Sequence, residues 1–136
     1  MNRFILVALF LVASAFTPIQ NKFMNVGTLN GTWIPVKQEM GGKEFPKATF
    51  ENYKLVITED TLYNYGNDTG SLKYGDGKMD IYGHKGPNEG KHITAIYKLE
   101  NEQLIICYNL AGDSYPADFE TKSKAMHFLS VYKKSQ

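Results

Sequence analysis

From residue 29 onward the chain is a succession of short runs of β-branched and aromatic residues, cut by Gly, Asn, Asp and Pro. No window sustains apolar residues at i, i+3, i+4 and i+7, so helix is limited to one short turn expected over 118–123. The runs at 32–37, 53–58, 62–65, 71–74, 78–82, 92–99, 103–108 and 126–133 read as eight strands. Pro35 marks an edge or a bulge in the first of them. Glu59-Asp60, Gly75-Asp76-Gly77 and Glu100-Asn101-Glu102 are tight turns, and 83–91 is a polar loop around Pro87. Eight strands with mostly short connections predict an all-β fold with little or no helix. The expected form is an eight-stranded antiparallel up-and-down barrel, whose interior suits side chains or one small ligand. A sandwich of two four-stranded sheets is the alternative.

Alternation within the strands gives the inward face. Ile93, Ala95, Tyr97 and Leu99 share one side, opposite His92, Thr94 and Lys98. Tyr53, Leu55 and Ile57 oppose Lys54 and Thr58, and Leu104, Ile106 and Tyr108 oppose Ile105 and Cys107. A tyrosine therefore faces inward from three strands, and each buried hydroxyl needs a partner. It either bonds within a packed core or forms the polar tip of a cavity. The candidate ligand-binding lining is Tyr53, Leu55, Ile57, Ala95, Tyr97, Leu104, Ile106 and Tyr108.

Residues 1–15 carry the pattern of a signal peptide. Arg3 supplies the positive charge, 4–13 is an unbroken apolar run, and Ala13-Ser14-Ala15 is a small–x–small cleavage site. The run is shorter than the roughly 20 residues that span a bilayer as a helix. The expectation is a lead-in at 16–28, a barrel domain at 29–134, a secreted or periplasmic location, and no stable membrane anchor after cleavage. Cys107 is the only cysteine, so the domain holds together without an internal disulfide. A buried structural thiol is the expected role, since no His or Lys adjoins it in sequence.

Arg3 is the only arginine, and beyond the leader 14 lysines balance 14 acids. A neutral chain without guanidinium groups is a poor reader of phosphate, so no nucleic-acid partner is expected. Catalytic patterns are equally sparse. Gly112-Asp113-Ser114 resembles the opening of a serine hydrolase motif, but only 22 residues follow and none supplies the Asp-x-x-His block. A polar turn is the expected role. His84, His92 and His127 match no metal spacing, and Asp80 with His84 forms at most a loose pair at a strand end. No glycine pattern opens a helix to cradle phosphate. No enzyme, metal or cofactor is expected.

Leu29-Asn30-Gly31-Thr32-Trp33 resembles the Gly-x-Trp signature that opens the first strand in lipocalins and fatty-acid-binding proteins. In order after it come Gly41-Gly42-Lys43, Gly86-Pro87-Asn88-Glu89-Gly90-Lys91, Ala95-Ile96-Tyr97-Lys98-Leu99, Leu104-Ile105-Ile106-Cys107-Tyr108 and Pro116-Ala117-Asp118-Phe119. Together they resemble a family of small exported bacterial lipocalin-like proteins of unassigned function, with a calycin-type barrel. The resemblance implies a basic side chain laid across Trp33, with Lys133 or Lys134 as the candidates. It also shows one departure, because Tyr115 stands where the family pattern has an arginine before the proline. Fold does not fix function. The expected function is a binding protein that holds a small apolar or amphipathic ligand in the barrel. The alternative is an exported interaction or inhibitor protein, with a filled barrel, that binds a protein partner through 83–91 and 109–124. An interior void of a few hundred Å³ separates the two.

Overall fold

The computed structural model describes residues 28–136; the expected signal peptide and nearly all of the lead-in lie outside the described residues. Nine antiparallel strands follow one another: β1 Gly31–Met40, β2 Lys43–Glu44, β3 Leu55–Thr58, β4 Leu62–Tyr65, β5 Asp68–Gly75, β6 Lys78–Lys85, β7 His92–Glu100, β8 Gln103–Asn109 and β9 His127–Lys134. Each of β3 to β9 pairs with its sequence neighbour, and β1 pairs with both β3 and β9. Eight strands thereby close into a barrel. The two-residue β2 is a short hairpin return on the end of β1. The expected barrel is present, and a two-sheet sandwich is not. One 3-10 turn, Lys47–Thr49, is the only helical element among the described residues; the segment at 118–123 is bends and turns.

Both ends of the barrel follow from the connections. At one end β5–β6 and β7–β8 are joined by the two-residue turns Asp76-Gly77 and Asn101-Glu102, with φ of 51° and 77°, and of 51° and 62°. Positive φ at both central residues suits the right-handed twist of paired strands. At the other end lie the longer segments 41–54, 86–91 and 110–126. The pairing of β1 with β9 shifts register between Pro35 and Lys37. A proline has no N–H to give the ladder, and the bulge beside it absorbs the missing bond.

The tight-turn end is filled. Leu29, Trp33, Ala95, Tyr97 and Leu104 are buried there, and the Trp33 indole N–H donates to the Leu29 carbonyl at 2.9 Å. The Tyr74 hydroxyl accepts from the Leu29 N–H at 2.9 Å and donates to Asp60 at 2.5 Å, fastening the residues just ahead of β1 to the β3–β4 turn. Segment 110–126 lies against the outer wall. Thr94 Oγ1 donates to the Ser114 carbonyl at 2.5 Å, and Thr121 Oγ1 donates to Glu39 at 2.7 Å. Cys107, on the outward face of β8, is fully buried, and burial pushes its thiol up to about 11 despite the nearby Lys124 ammonium.

One local expectation is corrected. Asp80 pairs with His92, 2.7 Å away on the adjacent strand, while His84 contacts Ser71 at 3.2 Å. Asp80 and His92 are cross-strand neighbours on β6 and β7, whereas His84 lies farther along β6 toward its end. Tyr115, the residue before Pro116, is held against the barrel wall. Its hydroxyl donates to Asp80 at 2.6 Å, and the Lys78 ammonium lies 5.1 Å from its ring centre.

Candidate functional site

The open end of the barrel leads into a cavity of about 440 Å³. Its floor and walls are Leu55, Ile57, Leu72, Met79, Ile81, Ile93 and Ile106, the inward members of β3, β5, β6, β7 and β8. Around the mouth stand Met40, Phe45, Tyr53, Tyr65, Leu110 and Phe128. Tyr53 precedes β3 instead of opening it. The residue is 44% exposed, and its ring stacks on Tyr65 with centroids 5.1 Å apart. Phe128 stacks on Tyr108 at 5.7 Å and lies 6.0 Å from Phe45.

Of the eight residues expected to line a ligand site, Tyr53, Leu55, Ile57, Ile106 and Tyr108 border this cavity. Ala95, Tyr97 and Leu104 do not. They face inward as their alternation requires, but they lie in the packed layer around Trp33. Alternation assigns a side chain to a face of the strand, and the depth of a residue along the barrel depends on the stagger between strands.

Polar groups enter the cavity at two levels. Behind the lining, the buried Gln38 Nε2 donates to the Tyr65 hydroxyl at 3.1 Å and to Ser130 Oγ at 3.2 Å, and in the wall itself two phenols meet. The Tyr108 and Tyr132 hydroxyls are 3.0 Å apart. Burial raises both phenols, Tyr132 to about 12 and Tyr108 well above its ordinary value. These groups are thus neutral donors and acceptors at ordinary pH, each able to satisfy a polar atom of a ligand.

At the mouth stands a carboxylate. Asp68, the first residue of β5, accepts from the Tyr63 hydroxyl at 2.9 Å and from Asn88 Nδ2 at 2.8 Å. Burial, and secondarily the bond to Asp68, pushes the Tyr63 phenol far up, so it remains a donor. Asn88 reaches Asp68 because its loop folds tightly onto the sheet. A Cβ on Gly83 would lie 1.8 Å from the Asn88 carbonyl oxygen, and one on Gly86 2.4 Å from that of Asn67. Gly86 also has φ of +87°, a region that L side chains avoid. Only glycine permits this approach at either position.

Among the described residues Asp68 is the single one with a charged side chain on the cavity surface, and no Lys, Arg or His of theirs lines it. Among the described residues no group of three or more His, Cys, Asp or Glu could hold a metal ion. The Gly112-Asp113-Ser114 segment is a turn in which Asp113 accepts from Asn109 Nδ2 at 2.7 Å. Sequence reasoning missed Tyr63, Tyr65, Asp68 and Asn88. The alternation of Tyr63 and Tyr65 along β4 was available as a signal, whereas Asp68 and Asn88 sit in stretches whose composition reads only as turn. No family model matches the chain, and no curated protein or solved structure matches it either.

Proposed function

We propose that this chain is an exported, lipocalin-like binding protein that holds one small apolar or amphipathic molecule inside its barrel. The observation that carries this reading is the cavity of about 440 Å³, walled by aliphatic side chains and open at one end. Sites for small molecules have this size and this mixture of apolar wall with a few fixed polar groups. The leader pattern of 1–15 supports export. The interior is not filled, which favours a carrier over a protein that reads partners through its loops. Segment 110–126 is moreover bonded to the wall at Thr94, Glu39 and Asp80 instead of standing free.

Native mass spectrometry of the protein recovered from its own compartment tests this. A small-molecule adduct, lost on unfolding, is the expected result. A stoichiometric protein partner with an empty barrel would favour the interaction protein instead.

A further inference from the structure

We propose that the cavity selects an amphiphile with a cationic head, an alkyl- or arylammonium, whose charge is received by Asp68. This deepens the carrier reading and rests on it. Asp68 is half-buried at the mouth and, among the described residues, is the only charged side chain bordering the cavity. Each of its oxygens accepts one hydrogen bond from a neutral donor, Tyr63 on one side and Asn88 on the other. A carboxylate has room for about four such bonds. Among the described residues no Lys, Arg or His lies within ion-pair distance of it, although Asp80 and Asp118 each have one.

A half-buried carboxylate held only by two neutral donors has no counter-charge beside it and keeps acceptor positions free. A bound cation supplies that counter-charge, and the geometry to receive it is already fixed. Tyr63 is anchored in β4, and Asn88 is pinned by its approach to Gly83. The aromatic rings of Phe45, Tyr53, Tyr65 and Phe128 surround the same mouth. Their faces attract an ammonium, quaternary ones included. A fatty acid is the wrong guest. Its carboxylate would find no cation among the described residues of the cavity surface, and it would meet Asp68 as a like charge.

Three probes with one chain length and different heads test the assignment by calorimetry: decyltrimethylammonium, decanol and decanoate, each kept below its micelle threshold. The ammonium should bind about tenfold tighter than the alcohol or better, a difference of about 1.4 kcal/mol, with decanoate weakest. In Asp68→Asn the ammonium should fall to within about twofold of the alcohol, while Tyr63→Phe, which keeps the carboxylate, should retain the preference. In the unaltered protein the Asp68 carboxyl carbon resonance should move on titration with the ammonium and stay still with decanol, so a variant that fails to fold does not leave the matter open. Decanol binding as tightly as the ammonium, decanoate binding tightest, or an Asp68 resonance indifferent to the ammonium would overturn the head-group assignment and leave the carrier reading standing. Failure of all three probes to bind would overturn both.

Discussion

The Lys134 ammonium lies 5.4 Å from the centre of the Trp33 ring, across the seam where β9 meets β1 and the barrel closes. The two residues are register partners, so the first strand and the last are joined by backbone bonds and by a cation over an aromatic face. Of the two lysines named as candidates for this contact, Lys134 makes it.

Trp33 is 4% exposed and fills the closed end. Replacing it with alanine should cost about 3–5 kcal/mol, the range for a large buried aromatic. Urea melting of Trp33→Ala measures this. Because it is the only tryptophan, emission of the unaltered protein should be blue-shifted and poorly quenched by iodide. A solvent-like emission maximum with an unchanged midpoint would contradict the packing.

Cys107 is inaccessible and its thiol is raised from 9.0 to about 11 by burial. Labelling by a thiol reagent in native buffer should be slower than in urea by orders of magnitude, because the thiolate is the nucleophile. Native labelling at the unfolded rate would refute this.

Alkaline pH should unfold the protein. For Cys107, Tyr132 and Tyr108 the folded state favours the neutral form, so the unfolded chain loses its protons first as pH rises. Stability from these groups is full below their ordinary values and declines through the window from about 9 to about 12. Urea midpoints measured across that window should fall steadily. The fall should be shallower in Tyr132→Phe, and a midpoint that stays flat to the top of the window would disprove the linkage.

Gly83→Ala should destabilise the barrel by about 1–3 kcal/mol, as overpacking does. The new Cβ would overlap the Asn88 carbonyl, so the loop must lift and the Asn88 bond to Asp68 must lengthen. Amide exchange over 86–91 should quicken relative to β7. Unchanged exchange and an unchanged midpoint would show that the loop yields without cost.

Tyr115→Phe should raise the pKa of Asp80. The Tyr115 hydroxyl is the largest of the influences that hold this carboxyl below its ordinary value, followed among favourable ones by His92. Carbon-detected titration of the Asp80 carboxyl reads the change directly. A curve identical to that of the unaltered protein would remove Tyr115 from the pair.

The barrel was legible because period-two alternation and turn residues are local signals, and the strands from β3 to β9 lie close to where those signals put them. Element ends were less so. β5 begins at Asp68 and β6 runs on to Lys85, because Gly70 and Gly83 allow pairing to continue through residues that read as turn. The cavity was only partly legible for a related reason. Tyr97 and Tyr108 alternate alike, yet one is packed beneath Trp33 and the other borders the void, a difference set by strand stagger. Asp68 and Asn88 meet across 20 positions of chain, and no spacing rule joins an aspartate in one turn to an asparagine in another.

The seam between β1 and β9 has a practical corollary for handling the molecule. The Ser135 N–H donates to the Thr32 carbonyl at 2.8 Å, and Leu29 is bonded to Tyr74 close by, so the chain enters and leaves the barrel at one pole. The mouth is at the opposite pole. A tag, tether or fused reporter joined after Gln136 would therefore hang from the base and leave the opening unobstructed. Starting the chain at Thr28, joining it to Gln136 with a short linker and cutting at the 41–54 segment would yield a rearranged barrel with its new ends at the rim, beside whatever enters.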